Sequence, residues 1–147
     1  MAEQTYERVA LAKEQLEISI ELFLSKRSMA SALTLAGAAE EILGMALRHQ
    51  GKRTTLQDQH SFIEPLEVLL RKGPYLWSDF IEEKNRARNA AKHMRLPTDT
   101  FIACDLEDEA LWMIVRAYDN YNRLDLHPTD LMHEFEDWFN YNVVGPM

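Results

Sequence analysis

Between Lys84 and Arg95 the chain carries five basic side chains (Lys84, Arg86, Arg88, Lys92 and Arg95), His93, two asparagines (Asn85 and Asn89) and no acid. These residue types suit work on a phosphodiester. Arginine stays charged and presents a planar fork of donors to phosphate oxygens. Histidine gives or takes a proton near neutral pH. Asparagine can orient an imidazole or donate to a developing oxyanion, and Asn89 lies one helical turn before His93. The set requires no metal ion and no cofactor.

At about 100° per residue, a helix over this segment gathers Asn85, Arg88, Asn89, Lys92 and His93 into an arc of about 140°. Phe80, Ala87, Ala90, Ala91 and Met94 fall on the opposite side, so the sequence predicts a polar face backed by small residues that pack closely. The structural alternative is a solvated face whose cations pair with nearby carboxylates, the usual meaning of a charge run.

The stretch Arg88-Asn89-Ala90-Ala91-Lys92-His93 resembles the signature of the higher-eukaryote-and-prokaryote nucleotide-binding (HEPN) superfamily. That signature is an arginine, a polar residue directly after it, and a histidine a few residues further on. Here four residues separate Arg88 from His93, and Asn89 is the polar one. The segment Leu35-Ala36-Gly37-Ala38-Ala39-Glu40-Glu41-Ile42-Leu43-Gly44 is also similar to a helix of small bacterial proteins of this kind. The resemblance implies a helical bundle that dimerises, bringing two copies of the motif into one cleft. It implies a metal-independent endoribonuclease or RNA-binding protein of toxin or defence type, with an antitoxin or another protein as partner. Carried onto this chain, His93 is the acid or base, Arg88 holds the phosphate, and Asn89 orients. Outside the motif, the helical face suggests Asn85 and Lys92 as supporting phosphate contacts, and the stripe on the second helix suggests Glu40 as an ion-pair partner that fixes Arg88.

These side chains need a scaffold, and the hydrophobic period supplies one. Val9, Ala12, Leu16, Ile20, Phe23 and Leu24 mark a first helix over 3–26. Ser28 caps a second that runs to about Gln50 and ends at Gly51. Residues 51–60 read as a polar loop, and Ser61-Phe62-Ile63-Glu64 has the spacing of a capping box that opens a third helix. The fourth starts between Pro74 and Ser78 and continues to about Met94, where Leu96-Pro97 breaks it. Asp105 caps a fifth, and Pro128 begins a short last one. Alternating strands are absent, so the expectation is all-α: one domain over 1–147, a bundle of five to six helices.

On the second helix Leu33, Gly37, Glu40, Gly44 and Leu47 form a narrow stripe. Two glycines one heptad apart destabilise a helix, roughly 1 kcal/mol each relative to alanine, so another backbone is expected to lie close there. Glu40 is then either buried against an arginine or lysine of a facing helix, or at the groove edge with Glu41 in solvent.

Composition narrows the function classes. A net charge of −8 opposes non-specific nucleic-acid binding by the whole surface. The charge is uneven: residues 99–147 hold eleven acids against Arg116 and Arg123 alone, while residues 1–98 are close to neutral. No uninterrupted apolar run reaches the roughly 18–20 residues of a bilayer span, and the early glutamates Glu3, Glu7, Glu14 and Glu17 are unlike a secretory signal. Cys104 is the single cysteine, so a cytoplasmic setting away from membranes is expected. Two rival readings remain. One is a non-catalytic helical module that dimerises or binds a nucleotide or protein. The other is a metal-binding bundle, for which Asp130-x-x-His133 is the nearest approach to ligand spacing.

Overall fold

The computed structural model describes residues 1–71 and 73–146. Among these, seven α-helices follow one another: α1 (Arg8–Leu24), α2 (Met29–His49), α3 (Thr55–Arg71), α4 (Trp77–Lys84), α5 (Arg86–Lys92), α6 (Leu106–Arg123) and α7 (Asp130–Phe139). A π-helical turn over Asn140–Val144 continues α7. There is no strand among the described residues.

The central member is α2, with α1 on one side and α6 on the other. Its Ala32, Ala36 and Ala39 are fully buried, and such small side chains let the neighbouring helices approach. Leu16, Ile20 and Phe23 of α1, Leu33 and Leu43 of α2, Ile114 and Ala117 of α6, and Met132 and Phe135 of α7 complete this core. The buried Ser19 hydroxyl donates to the Ala32 carbonyl at 2.7 Å, tying α1 to α2 without an unpaired polar group. A second, smaller cluster of Leu56, Tyr75 and Phe80, with Ile63, Trp77 and Ile81 packed on it, joins α3 to α4.

By length and composition α2 is apolar enough to cross a bilayer, which uninterrupted runs did not reveal because Glu40, Glu41 and Arg48 punctuate it. Half of its most apolar 18-residue window is buried inside the bundle.

The helix starts follow side-chain chemistry. Ser28 accepts from the Ser31 amide, Asp105 from that of Asp108, and Thr129 from that of Met132. Gly51 takes a left-handed φ of 70° just past α2, where glycine carries no steric penalty. Three expectations need correction. The first helix, expected from residue 3, begins at Arg8. Residues 55–60 are helical, and Ser61 lies inside α3. The box that opens this helix is Thr54 with Gln57: the Thr54 hydroxyl accepts from the Gln57 amide (3.1 Å), and the Gln57 side chain accepts from the Thr54 amide (2.9 Å). The fourth predicted helix is two, interrupted at Asn85, and it ends at Lys92 with His93 extended beyond it. This break accounts for the seventh helix.

The N-terminus of α3 is fastened to α6. The Asn120 carboxamide accepts from the Thr55 amide at 3.0 Å and donates to the Glu40 carbonyl at 3.4 Å, so one buried side chain links three helices. Asn120→Ala leaves the buried Thr55 amide unpaired and should lower stability by about 1–3 kcal/mol, read as a lower Tm by circular dichroism. Nearby, hydrogen bonds from Arg53 and Arg123 hold the Asp58 carboxyl below its usual range. A depressed carboxylate stabilises the fold above the ordinary aspartate pKa of about 3.9, and that contribution is lost as pH falls through the lower folded value. Asp58→Asn should therefore lower Tm at neutral pH and leave a flatter acid limb than the parent's.

Candidate functional site

The interior decides how α5 lies. Glu40 is 7% exposed near the middle of α2 and needs compensating charge. Arg116 of α6 supplies it, with Nη2 donating to the Glu40 carboxylate at 2.9 Å. Arg88 of α5 adds a second guanidinium, with Nη1 3.7 Å from the other carboxylate oxygen and 3.8 Å from that of Glu41. The 3.7 Å contact is an attraction between charges, too long for a hydrogen bond. The expected Glu40–Arg88 pair therefore exists as the weaker half of a triad whose stronger half is Arg116. Of the two readings of Glu40 the buried one holds, and Glu41 is the exposed member.

Arg116 also explains the break at Asn85. Its Nη2 donates to the Asn85 side chain at 3.0 Å, and its Nη1 reaches the Lys84 carbonyl at 3.5 Å. A side chain inserted into the backbone ladder is a recognised cause of kinks. Asn85 is consequently buried and serves Arg116.

The two glycines of α2 divide in meaning. A Cβ on Gly37 would lie 2.3 Å from Arg88 Cδ and 2.8 Å from Cγ, so Gly37 is the notch through which the Arg88 stem passes. The close neighbour is thus a side chain, where a backbone was expected. A Cβ on Gly44 would meet only ordinary contacts, at 3.5 Å from Asn120 and 3.6 Å from Thr54.

With Asn85 and Arg88 turned inward, the expected face of α5 is reversed. Ala87 is buried, but Ala90 and Ala91 are exposed and Met94 is 67% exposed, where close packing was predicted. The polar arc itself is divided: Asn85 and Arg88 inside, Asn89 half-buried, Lys92 and His93 in solvent. Arg88 lines a groove of about 210 Å³ with Glu40, Glu41 and Asn85. His93 lines another of about 370 Å³ with Asn89, Arg86, Arg95 and Asp99. Asn89 connects the two, since its side-chain oxygen accepts from Arg88 Nη2 at 3.3 Å and its carbonyl accepts from the His93 amide at 2.9 Å. Within one chain the structure thus brings Asn89 to His93 and sets Arg88 behind them.

The exposed cations behave unlike a solvated charge run. Among the described residues, Lys84, Arg86, Lys92 and Arg95 have no carboxylate within 4.0 Å, although the chain is acidic. Arg86 instead donates to the Ala103 carbonyl at 3.2 Å, which fastens the 93–105 loop against α5. Elsewhere, Asp130 and His133 gather no third metal-ligating side chain among the described residues. Comparisons of the chain with models of protein families, with curated proteins and with solved structures found no match.

The sequence reading missed Arg116 and Asn120. Both occupy the core-facing stripe of α6 among Met113, Ile114, Ala117 and Tyr121, and a polar residue at such a position is the signal that singled out Glu40. The Gly37 notch gives a direct test of this arrangement. Gly37→Ala must displace the anchored Arg88 stem and should destabilise by about 1–3 kcal/mol. Gly44→Ala should instead be neutral or stabilising by about 0.5–1 kcal/mol, because it removes helical glycine entropy without a clash. Parallel denaturant melts of the two variants would show opposite displacements of the midpoint.

Proposed function

We propose that this protein binds RNA over the exposed face of α5 and cleaves it without a metal ion, as a cytoplasmic homodimer of toxin or defence type. The observation that carries the reading is the exposed basic group on and beside α5: Arg86 and Arg95 line the His93 cleft against Asp99 alone, and neither they nor Lys84 and Lys92 make an ion pair within 4.0 Å among the described residues, in a chain of net charge −8. A polyanion is the partner that such a local field attracts.

The roles follow from exposure. Neutral His93 takes the proton of a ribose 2′-hydroxyl as that oxygen bonds to the adjacent phosphorus. The bond from phosphorus to the 5′-oxygen breaks, and an imidazolium donates the proton that the leaving oxygen requires. Products are a 2′,3′-cyclic phosphate and a 5′-hydroxyl. Arg86 and Arg95, which line the His93 cleft, hold the phosphate. Arg88 is 9% exposed and acts through Asn89, whose side chain it holds and whose carbonyl receives the His93 amide. It is a positioning residue, and Glu40 and Asn85 support it from within.

A second reading, a non-catalytic dimerisation or binding module, is favoured by one observation: the motif arginine is already paired with Glu40 and Glu41. Purified protein and His93→Ala, incubated with structured RNA in EDTA, separate the two. The nuclease reading expects cyclic-phosphate ends from the parent and about 10²- to 10⁴-fold slower cleavage by His93→Ala. Equal cleavage by both proteins, or loss of activity on chelation, overturns the mechanism. RNA binding without cleavage leaves a binding protein, and neither leaves the dimerisation module.

A further inference from the structure

A cleft of about 690 Å³ lies between α3, α4 and α6, away from His93. Arg86 lines both this cleft and the His93 cleft, so the two meet at one guanidinium. Their electrostatics differ. The His93 cleft sets Arg86 and Arg95 against Asp99, an excess of positive charge that suits phosphate. The large cleft is lined by Lys84 and Arg86, by Glu83, Asp108 and Glu109, and by Arg116, whose guanidinium is already paired with Glu40; it has no cationic excess and suits an uncharged group.

Its apolar walls have flat faces. Phe62 of α3 is 86% exposed and Trp112 of α6 is 44% exposed, and both line the cleft. The Trp112 indole is held in place, packed edge-on against Phe139 at 5.9 Å and donating from Nε1 to Asp108 at 3.1 Å. Of the three acids, Glu109 is the one with both carboxylate oxygens free of side-chain donors among the described residues. Asp108 is engaged by Trp112, and Glu83 accepts from the Tyr75 hydroxyl at 2.7 Å. Glu109 accepts no side-chain hydrogen bond among the described residues and is half-buried at the cleft.

We infer that this cleft takes an unpaired base of the RNA strand whose phosphate lies at Arg86, and that it favours bases carrying an exocyclic amine over uracil. This rests on the proposed RNA binding and names the substrate class: single-stranded, with a base that carries an exocyclic amine (adenine, cytosine or guanine) beside the bound phosphate. Aromatic faces stack any base. The carboxylate adds the preference, because adenine, cytosine and guanine present amino donors, whereas uracil offers a single imide N–H flanked by two carbonyl oxygens that a carboxylate repels. A base inside a duplex could not enter.

The test uses the full chain carrying His93→Ala, so that bound strands stay intact, and short labelled oligoadenylate, oligocytidylate and oligouridylate followed by fluorescence anisotropy. Oligoadenylate and oligocytidylate should bind about ten-fold more tightly than oligouridylate. Adding Phe62→Ala or Trp112→Ala should weaken them by about ten-fold, within the range of base–aromatic stacking, while Trp112→Phe retains most of the affinity. Glu109→Gln, whose amide can also donate to uracil, should narrow the gap between the bases. Arg86→Ala should weaken all three strands alike and reduce the salt dependence. Both aromatic sites are exposed, and circular dichroism checks that the variants fold. Arg86→Ala losing affinity while Phe62→Ala and Trp112→Ala do not overturns the base cleft and leaves the RNA reading standing. Equal binding of uridylate and adenylate removes the proposed preference. Failure of the parent to bind any strand removes both proposals. A change of oligomeric state in Phe62→Ala with RNA affinity unaltered assigns the exposed stripe of Phe62, Leu66 and Leu69 to a protein partner instead.

Discussion

Glu40 cannot be buried alone. A carboxylate at 7% exposure near the middle of an apolar helix costs several kcal/mol unless positive charge and donors surround it, and the arrangement of α4, α5 and α6 follows from meeting that requirement. Arg116 reaches Glu40 from α6 and, in doing so, draws the Lys84 carbonyl and Asn85 toward itself, which divides α4 from α5. Arg88 enters through the space that Gly37 leaves. Two guanidiniums against one buried carboxylate overcompensate it, and Glu41 at the groove edge balances part of the surplus. Arg88 Nε and Nη1 and Arg116 Nε nevertheless make no hydrogen bond to protein. The triad is therefore held by charge more than by saturated hydrogen bonding. Its removal in part would leave a buried charge exposed to no compensation, which is why its members are coupled.

The same constraint shapes the surface. Because Ala87 and Arg88 of α5, with Asn85 before it, turn inward, its remaining residues project outward; Arg86 faces the cleft that Asp108 and Glu109 of α6 also line, and Lys92 makes no ion pair within 4.0 Å among the described residues. Under the proposed function, the acidic surface would repel nucleic acid over most of the protein and the confined basic face would select the orientation of a bound strand.

How far the sequence foretold this varies with the kind of information each feature needs. The all-helical plan, α2 with its Ser28 cap, the Asp105 cap and the core stripe of α1 were legible because period and capping are local properties. The start of α3 was misplaced: Ser61–Glu64 has the spacing of a capping box, but the helix opens at Thr54–Gln57, where the long-range tie from Asn120 to the Thr55 amide holds it. The helical wheel of α5 failed for a different reason. A wheel assumes that apolar residues face inward, whereas here a buried carboxylate on another helix reverses that order. Glu40 itself was suspected from its stripe, yet its stronger partner, Arg116, lies 76 residues away in sequence. No local pattern carries that pairing.

The geometry of phosphoryl transfer bears on what the His93 cleft needs to be complete. In-line attack puts the 2′-oxygen and the departing 5′-oxygen on opposite sides of phosphorus, so one imidazole cannot touch both. Each chain brings a single histidine to this cleft, with Asp99 as the other proton-handling side chain that lines it. Asp99 is engaged by the Leu96 amide at 3.3 Å, and a carboxylate in solvent is a poor acid near neutral pH. A second His93, related by a two-fold axis, would supply the missing acid while the first serves as base. The proposed reaction would thus require a dimer on chemical grounds. The exposed Met94, Leu96 and Phe101 beside His93 offer the apolar surface on which such a pair could close.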